Sequence, residues 1–330
     1  MKTARPERPL AEADLYGYSK WLASHLGFDF APRSLRGFQH GWIWWDAEDA
    51  DYAPGFGLDP NLDAYWGVLV QSEKIARELN QKGIFAKACG LPFLNYYKHC
   101  GLKGSFKGLR DGSVLYVPAH SNPWHDISFN ITAASRKFVR AYPDCAIMLG
   151  WNDRHLADAM STSFRRVEIG AGALESESFL RLMSIFERYD YLITDSIGSH
   201  ICYALACGMK VGIHSGLHAF SHARQQGSGS MPPANSDQAS SVERRRFVYT
   251  PEYLDQRFPG IVIDGGLPSY SRLPSDLAEA RPDVIAGLLG WDLTYESERV
   301  KDPVRAASQA VSAEQPGRAN SPAVHLALCA

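Results

Sequence analysis

The sequence predicts an α/β protein built on parallel sheet and divided into two unequal parts. Three observations predict it. From Ser113 to His214, short apolar runs alternate with amphipathic stretches at helical spacing, the pattern of repeated βαβ units. Runs such as SVLYVPAH (113–120) and CAIMLGW (145–151) are apolar without polar alternation, as in strands covered on both faces. The chain also has 330 residues, and chains divide at roughly 150 residues per domain.

Each element has a local reason. In ADLYGYSKWLASHLG (13–27), Leu15, Tyr18, Trp21, Leu22 and Leu26 share one helical face and a glycine follows, which predicts a helix with its stop. The aromatic run Leu35–Trp45 reads as a buried strand and its exit loop, and the acidic stretch 46–63 as a loop. AYWGVLVQ (64–71) is a strand, and SEKIARELNQKG (72–83) a helix capped by Ser72 with Ile75 and Leu79 inward. IFAKACGLP (84–92) is a strand ending in a Gly-Leu-Pro turn, followed by a connector at 98–112. Strands at 113–120, 145–151, 165–171, 191–195 and 210–214 then alternate with helices at 128–142, 155–160, 176–189 and 199–208. RFVYTPEYL (246–254) and GIVIDGG (260–266) supply one or two further strands, and PDVIAGLLGW (282–291) a closing helix. Ser221–Ser241 has no Val, Leu or Ile and reads as a flexible loop; from Lys301 the alanine-rich end reads as a disordered tail.

Composition narrows the function classes. Hydrophobic residues make 45% and charged residues 21%, with a net charge of −2. That excludes a collagen-like or wholly disordered chain and gives no basic excess for nucleic acid. The six cysteines show no CxxC spacing, and no stretch approaches the ~18 apolar residues of a membrane span. A reduced cytoplasmic setting is expected. Peripheral attachment at the inner membrane face and self-association are both left open.

The most informative segment is YDYLITDSIGSHICYALACGMKVGIHSG (189–216). A strand delivers Thr194, Asp195 and Ser196 to its carboxyl end, where open parallel sheets bind ligands. Gly198 then opens a helix at Ser199 and His200. The first turn of a helix offers unpaired N–H groups and positive dipole, a setting for phosphate. Ser196, Ser199 and His200 add donors, although the same residues can also serve as plain scaffold and caps. In VPAHSNPWHD (117–126), His120, Ser121 and Asn122 sit beyond a neighbouring strand and face the same crevice. Gly170, after RRVEI, permits close approach of a nucleobase.

The order strand, TDS-x-GS, helix, ALxxG, KV resembles the second domain of GT-B glycosyltransferases, and more narrowly the bacterial capsule and teichoic acid type of glycosyl- and glycerophosphotransferases. GFQHGW (37–42) resembles the QHG element of their first domain. The resemblance implies a GT-B-like fold of two Rossmann-like domains with parallel sheets, the first one reduced. It places an acceptor-side domain at 1–105 and a donor-binding domain at 106–298. It implies donor phosphate binding by Ser196, Gly198, Ser199 and His200, and contact of the His120, Ser121 and Asn122 loop with donor phosphates or the transferred sugar; Gly170, against the base, and Asp195 complete the expected donor-binding set. His40 becomes the base, with Asp46 as its substitute. The implied activity is transfer of a sugar from a nucleotide-activated donor to a polysaccharide or glycolipid acceptor. The nucleotide-sugar is then a substrate, and neither metal nor cofactor is expected. A sugar-nucleotide 2-epimerase of the same fold, or a non-catalytic nucleotide-sugar- or glycan-binding component of an assembly complex, are the alternatives. Two departures stand out: the helix ICYALACG lacks the Glu that binds donor ribose in many GT-B enzymes, and little chain precedes His40.

Three other patterns point elsewhere more weakly. GAGALE (170–175) begins like a dinucleotide fingerprint but has Glu175 in place of the last glycine. His214, His218 and His222 recur every four residues, but Ser215-Gly216 disfavours one helix through them. Arg244–Arg246 reads as a solvated face, or as a contact for phosphate or anionic membrane.

Overall fold

The computed structural model describes residues 16–32, 34–39, 41–42, 67–110, 112–121, 128–172, 175–214 and 251–291. Two parallel sheets organise them, so the chain has the parallel α/β architecture expected, with a small first sheet of three strands. The small sheet pairs β1 (Gly37–Phe38), β2 (Val68–Val70) and β3 (Ala86–Ala88) in that order. Helix α1 (Tyr18–Leu26) precedes it and ends at Gly27, whose left-handed φ of 78° lets its N–H turn back to Ala23 and Ser24. Helix α2 (Glu73–Gln81) joins β2 to β3. Ser72 caps it, its hydroxyl accepting from the Ile75 N–H at 3.3 Å. Ile75, Ala76 and Leu79 pack on Val68, Val70 and Ala86 to make a small separate core.

The large sheet contains β4 (Val114–Val117), β5 (Ala146–Leu149), β6 (Arg166–Ile169), β7 (Tyr191–Thr194), β8 (Lys210–His214) and β9 (Val262–Ile263). Its order is β6-β5-β4-β7-β8-β9 and every pairing is parallel. The chain winds outward one way from β4 and then the other way from β7, so the direction reverses between these two central strands. All four residues of β4 and of β5 are buried, which explains why their sequences do not alternate. Helices α4 (Ser128–Ala141), α5 (Ala157–Ser161), α6 (Ser178–Phe186) and α7 (Ser199–Ala206) connect these strands, with a 3₁₀ turn at Trp151–Leu156 ahead of α5. As expected, α6 buries Phe179, Leu182, Met183 and Phe186.

One aromatic core ties the sheets together. Phe38 and Leu69 of the small sheet share a buried cluster with Leu115 and Leu192 of the large one. At its centre Phe93 stacks on Tyr203 with ring centroids 4.2 Å apart and meets Phe179 edge-on at 5.5 Å. The closing helix, α9 (Pro282–Leu289), returns to the start of the chain. The Leu35 N–H donates to Leu289 O at 2.9 Å, and fully buried Trp291 donates to the Ser34 hydroxyl at 3.2 Å. A side chain on Gly290, at φ 77°, would strike Leu35 at 2.6 Å.

Two elements differ from expectation, for one shared reason. Pro92–His99 is not the tail of a turn and connector but a helix, α3, burying Phe93, Tyr96 and Tyr97. The described end of RFVYTPEYL, Pro251–Leu254, read as a possible further strand, instead opens helix α8 (Pro251–Arg257), which buries Leu254. Both begin on proline, whose fixed φ and missing N–H suit the first helical position. Among the described residues no helix is long and apolar enough to cross a membrane. The predicted loop 221–241 and the tail from 301 lie outside the described residues, as does Arg244–Arg246.

Candidate functional site

At the reversal point the exits of β4 and β7 diverge, and a cavity of about 610 Å³ opens beyond the carboxyl ends of β4 to β7. Crevices at such switch points are where open α/β sheets take ligands. Its floor and walls include His120, Ser121, Gly170, Ser196, Gly198, Ser199 and His200. Seven residues singled out from three separate segments of the sequence are thus brought to one surface. His40, Asp46 and Asn122 lie outside the described residues. The two residues after His40, Gly41 and Trp42, line the cavity from the small-sheet side.

The exit of β7 forms a tight knot. Buried Thr194 donates to Ser196 O at 3.0 Å or to the ring of His200, and accepts from the Ser196 N–H at 3.1 Å. His200 Nε2 lies 3.0 Å from the same hydroxyl. The His200 ring therefore folds back over the start of α7, and a side chain on Gly198 would meet its Nδ1 at 3.0 Å. Gly198 caps α7 without a side-chain bond. Among the described residues no acceptor is found for the N–H groups of Gly198, Ser199 and His200, so these point their partial positive charge at the cavity. The Ser199 hydroxyl accepts from the Trp42 N–H at 2.7 Å, clasping the small-sheet loop to the helix start. That loop is itself anchored: Gln39 N–H donates to Leu69 O at 2.8 Å, and the Gln39 side-chain oxygen accepts from Gln71 N–H at 3.1 Å.

The β4 exit is held by two carboxylates from other strands. Asp195 Oδ1 accepts from the Ala119 N–H at 2.6 Å and its Oδ2 from the Tyr116 hydroxyl at 3.0 Å. Asp195 is 5% exposed and does not line the cavity; it braces the loop that does. Burial lifts its carboxyl to about 6, against the opposing pull of those two donors. Asp153, fully buried, accepts from the Ser121 N–H at 2.7 Å, and Asn152 donates to Ser121 O at 3.1 Å.

Both cavity histidines are held toward the neutral form. His200 is lowered to about 3, chiefly by burial and then by the neighbouring His120, with a backbone contact to Ser196 opposing. Burial also lowers His120, while the charge of Asp153 acts the other way. His120 keeps solvent contact through the cavity, so water there softens its depression. A bound phosphate would reverse both effects, because an anion at hydrogen-bond distance favours imidazolium.

Sequence reasoning passed over several of the lining residues. Trp151 follows β5 as His120 follows β4, and Arg154 lies over its ring at 4.5 Å. Glu175 lines the cavity beside Gly172 and pairs with Arg181 at 3.2 Å. Tyr203 reaches it from the second turn of α7. The strand-exit rule that singled out His120 also applies to Gly150-Trp151, whereas nothing local marks Tyr203. GAGALE lies at the exit of β6, an edge strand, and not at the first strand of the sheet. Of the spaced histidines only His214 is described, at the end of β8; no group of three metal-ligating side chains occurs among the described residues.

No protein-family model matches the chain, and neither does any curated protein. Among solved structures, the chain is similar to an S. aureus MnaA–UDP co-structure at a TM-score of 0.37 and 13% identity. The alignment covers 74% of this chain and 65% of that one.

Proposed function

We propose that this chain binds a nucleotide-activated sugar and transfers the sugar to a hydroxyl of a polysaccharide or glycolipid. The observation that carries the reading is the switch-point cavity, where open N–H groups at the start of α7 converge with His120 and His200 while Gly41 and Trp42 close the far wall. The donor diphosphate sits at the first turn of α7, met by helix dipole, hydroxyls of Ser196 and Ser199 and the two imidazoles. Ser121 extends this wall, Asn122 is expected to add a donor to the same phosphates, Asp195 holds the loop, and Gly170 lies against the base. The acceptor oxygen attacks the anomeric carbon as the carbon–phosphate-oxygen bond breaks. His40, next to Gly41, takes the acceptor proton, with Asp46 as its substitute. The charge growing on the leaving diphosphate is stabilised by donors already in place.

A thermal-shift panel with CMP, CDP, UDP, GDP and dTDP tests the binding half. A ligand at 100 times its Kd adds about 2.7 kcal/mol, so one nucleotide should stand out, and no shift with any of them overturns the reading. Incubation of the corresponding sugar donor with and without glycan acceptors tests the rest. Epimerised donor without acceptor would reassign the activity to a 2-epimerase, and binding without turnover would leave a non-catalytic component.

A further inference from the structure

Asp153 carries a buried charge that its hydrogen bonds do not fully account for. It sits in the turn after β5 with no exposed surface, and only Oδ2 is occupied, by the Ser121 N–H at 2.7 Å. Oδ1 is enclosed by protein and has no hydrogen-bond partner among the described residues. A carboxylate oxygen left in this state costs stability, since burial removes water and nothing replaces it. The ring of His120, one residue before the Ser121 amide that Asp153 holds, feels its charge. Gly150 brings the two segments together: a side chain there would stand 2.7 Å from His120 Cβ. An unfilled acceptor thus sits in the turn that packs against the loop carrying a histidine that fronts the cavity.

We propose that Asp153 is a positioning residue for His120, its open oxygen taking one ring N–H of the imidazolium while the other N–H donates to the leaving diphosphate. This rests on the reading of the cavity as a nucleotide-sugar site. When the sugar–diphosphate bond breaks, its electron pair goes to the terminal phosphate oxygen. His120 passes its proton to that oxygen and returns to the neutral form, the acceptor's proton having gone to the base. Asp153 orients the ring and takes no part in the proton transfer, as an orienting carboxylate does. The other titratable groups around His120 are His200 on α7, with Glu175, Tyr16 and Tyr203 on the remaining walls. Asp195 lies beneath the loop with both oxygens bonded.

The test is an NMR titration of the full chain carrying ¹⁵N-labelled histidine, with inorganic pyrophosphate as the probe. In the wild type the His120 pKa should rise by at least one unit, tenfold in proton affinity, when pyrophosphate saturates the site. In Asp153→Asn, which keeps an acceptor for Ser121, the ligand-free His120 pKa should drop below the wild-type value and the rise on binding should shrink. Thermal shift by pyrophosphate should persist, because the α7 donors and His200 are untouched. Identical His120 titrations in the two proteins overturn the pairing, whether or not pyrophosphate binds. No response of either protein to pyrophosphate or nucleotides overturns the nucleotide-sugar reading instead, while the ligand-free comparison still decides the pairing. Should the variant not fold, the wild-type ring shifts decide alone: one fixed tautomer supports a carboxylate partner, and averaged tautomers exclude it.

Discussion

The two sheets divide the work unequally. The large sheet has buried central strands, a reversal of winding between β4 and β7, and nearly all of the cavity lining. The small sheet has strands of two or three residues, and among the described residues it reaches the cavity only through Gly41 and Trp42. Yet one hydrogen bond, Trp42 N–H to Ser199 Oγ, spans 157 residues and ties its loop to the helix that opens the site. The difference teaches that a reduced domain can still take part in a cleft. It needs a loop held in register, and Gln39 supplies that hold on β2.

Substitutions on the two sides should therefore fail in different ways. The largest effect is expected from His40→Ala on the small-sheet loop: transfer should fall by about 10²–10⁴-fold, the usual worth of a general base, with nucleotide affinity nearly unchanged. Loss of affinity without loss of turnover would reverse the assignment of the two sides. Next, Leu192→Ala, at a fully buried position of β7, should cost about 2–5 kcal/mol in denaturant unfolding. Since Leu192 and the small sheet's Leu69 share one core, fluorescence and circular dichroism should report a single coincident transition, and two transitions would show that the sheets unfold separately.

His200→Gln should weaken nucleotide binding by about 1.5–3 kcal/mol, the worth of a charge-assisted hydrogen bond, as read by calorimetry. It should also change how the melting temperature depends on pH. His200 sits at about 3 in the fold against an ordinary 6.5, so between these values the unfolded chain binds the proton. Wild-type stability from this residue is full above 6.5 and lost as pH falls. Asp195, raised from 3.8 to about 6, has the opposite slope: the folded state holds the proton, and stability falls as pH rises from about 4 to 6. Removing His200 should leave the Asp195 slope exposed in that window. A profile that the substitution does not alter would contradict a neutral His200. The smallest effect belongs to Ser72→Ala, which removes the α2 cap and should cost about 1 kcal/mol; with no ligand contact, it should leave nucleotide affinity alone.

Much of this was legible in the chain, and the failures are instructive. Ser72, Gly27 and Gly208 announced the ends of helices because capping depends on a few adjacent residues. Proline misled twice. It was read as a stop before Phe93 and inside the possible strand at 246–254, yet Pro92 and Pro251 each begin a helix. A proline excludes the helix behind it and favours the one ahead, and only packing partners decide between them. For α3 those partners include Phe179 and Tyr203, distant in sequence.

By itself the sequence determined the alternation of strand and helix, the parallel class of the sheet and the segments that end at its carboxyl edge. These follow from periodicity and turn chemistry, which act over a few residues. Only the tertiary structure decided the order of the strands and which exits share a cavity. It also turned Asp195 inward to brace Ala119 and joined Asp153 to the Ser121 amide beside His120. Those outcomes rest on bonds between residues 32 to 157 positions apart, and their partners are selected by the shape of the whole core, not by any local pattern.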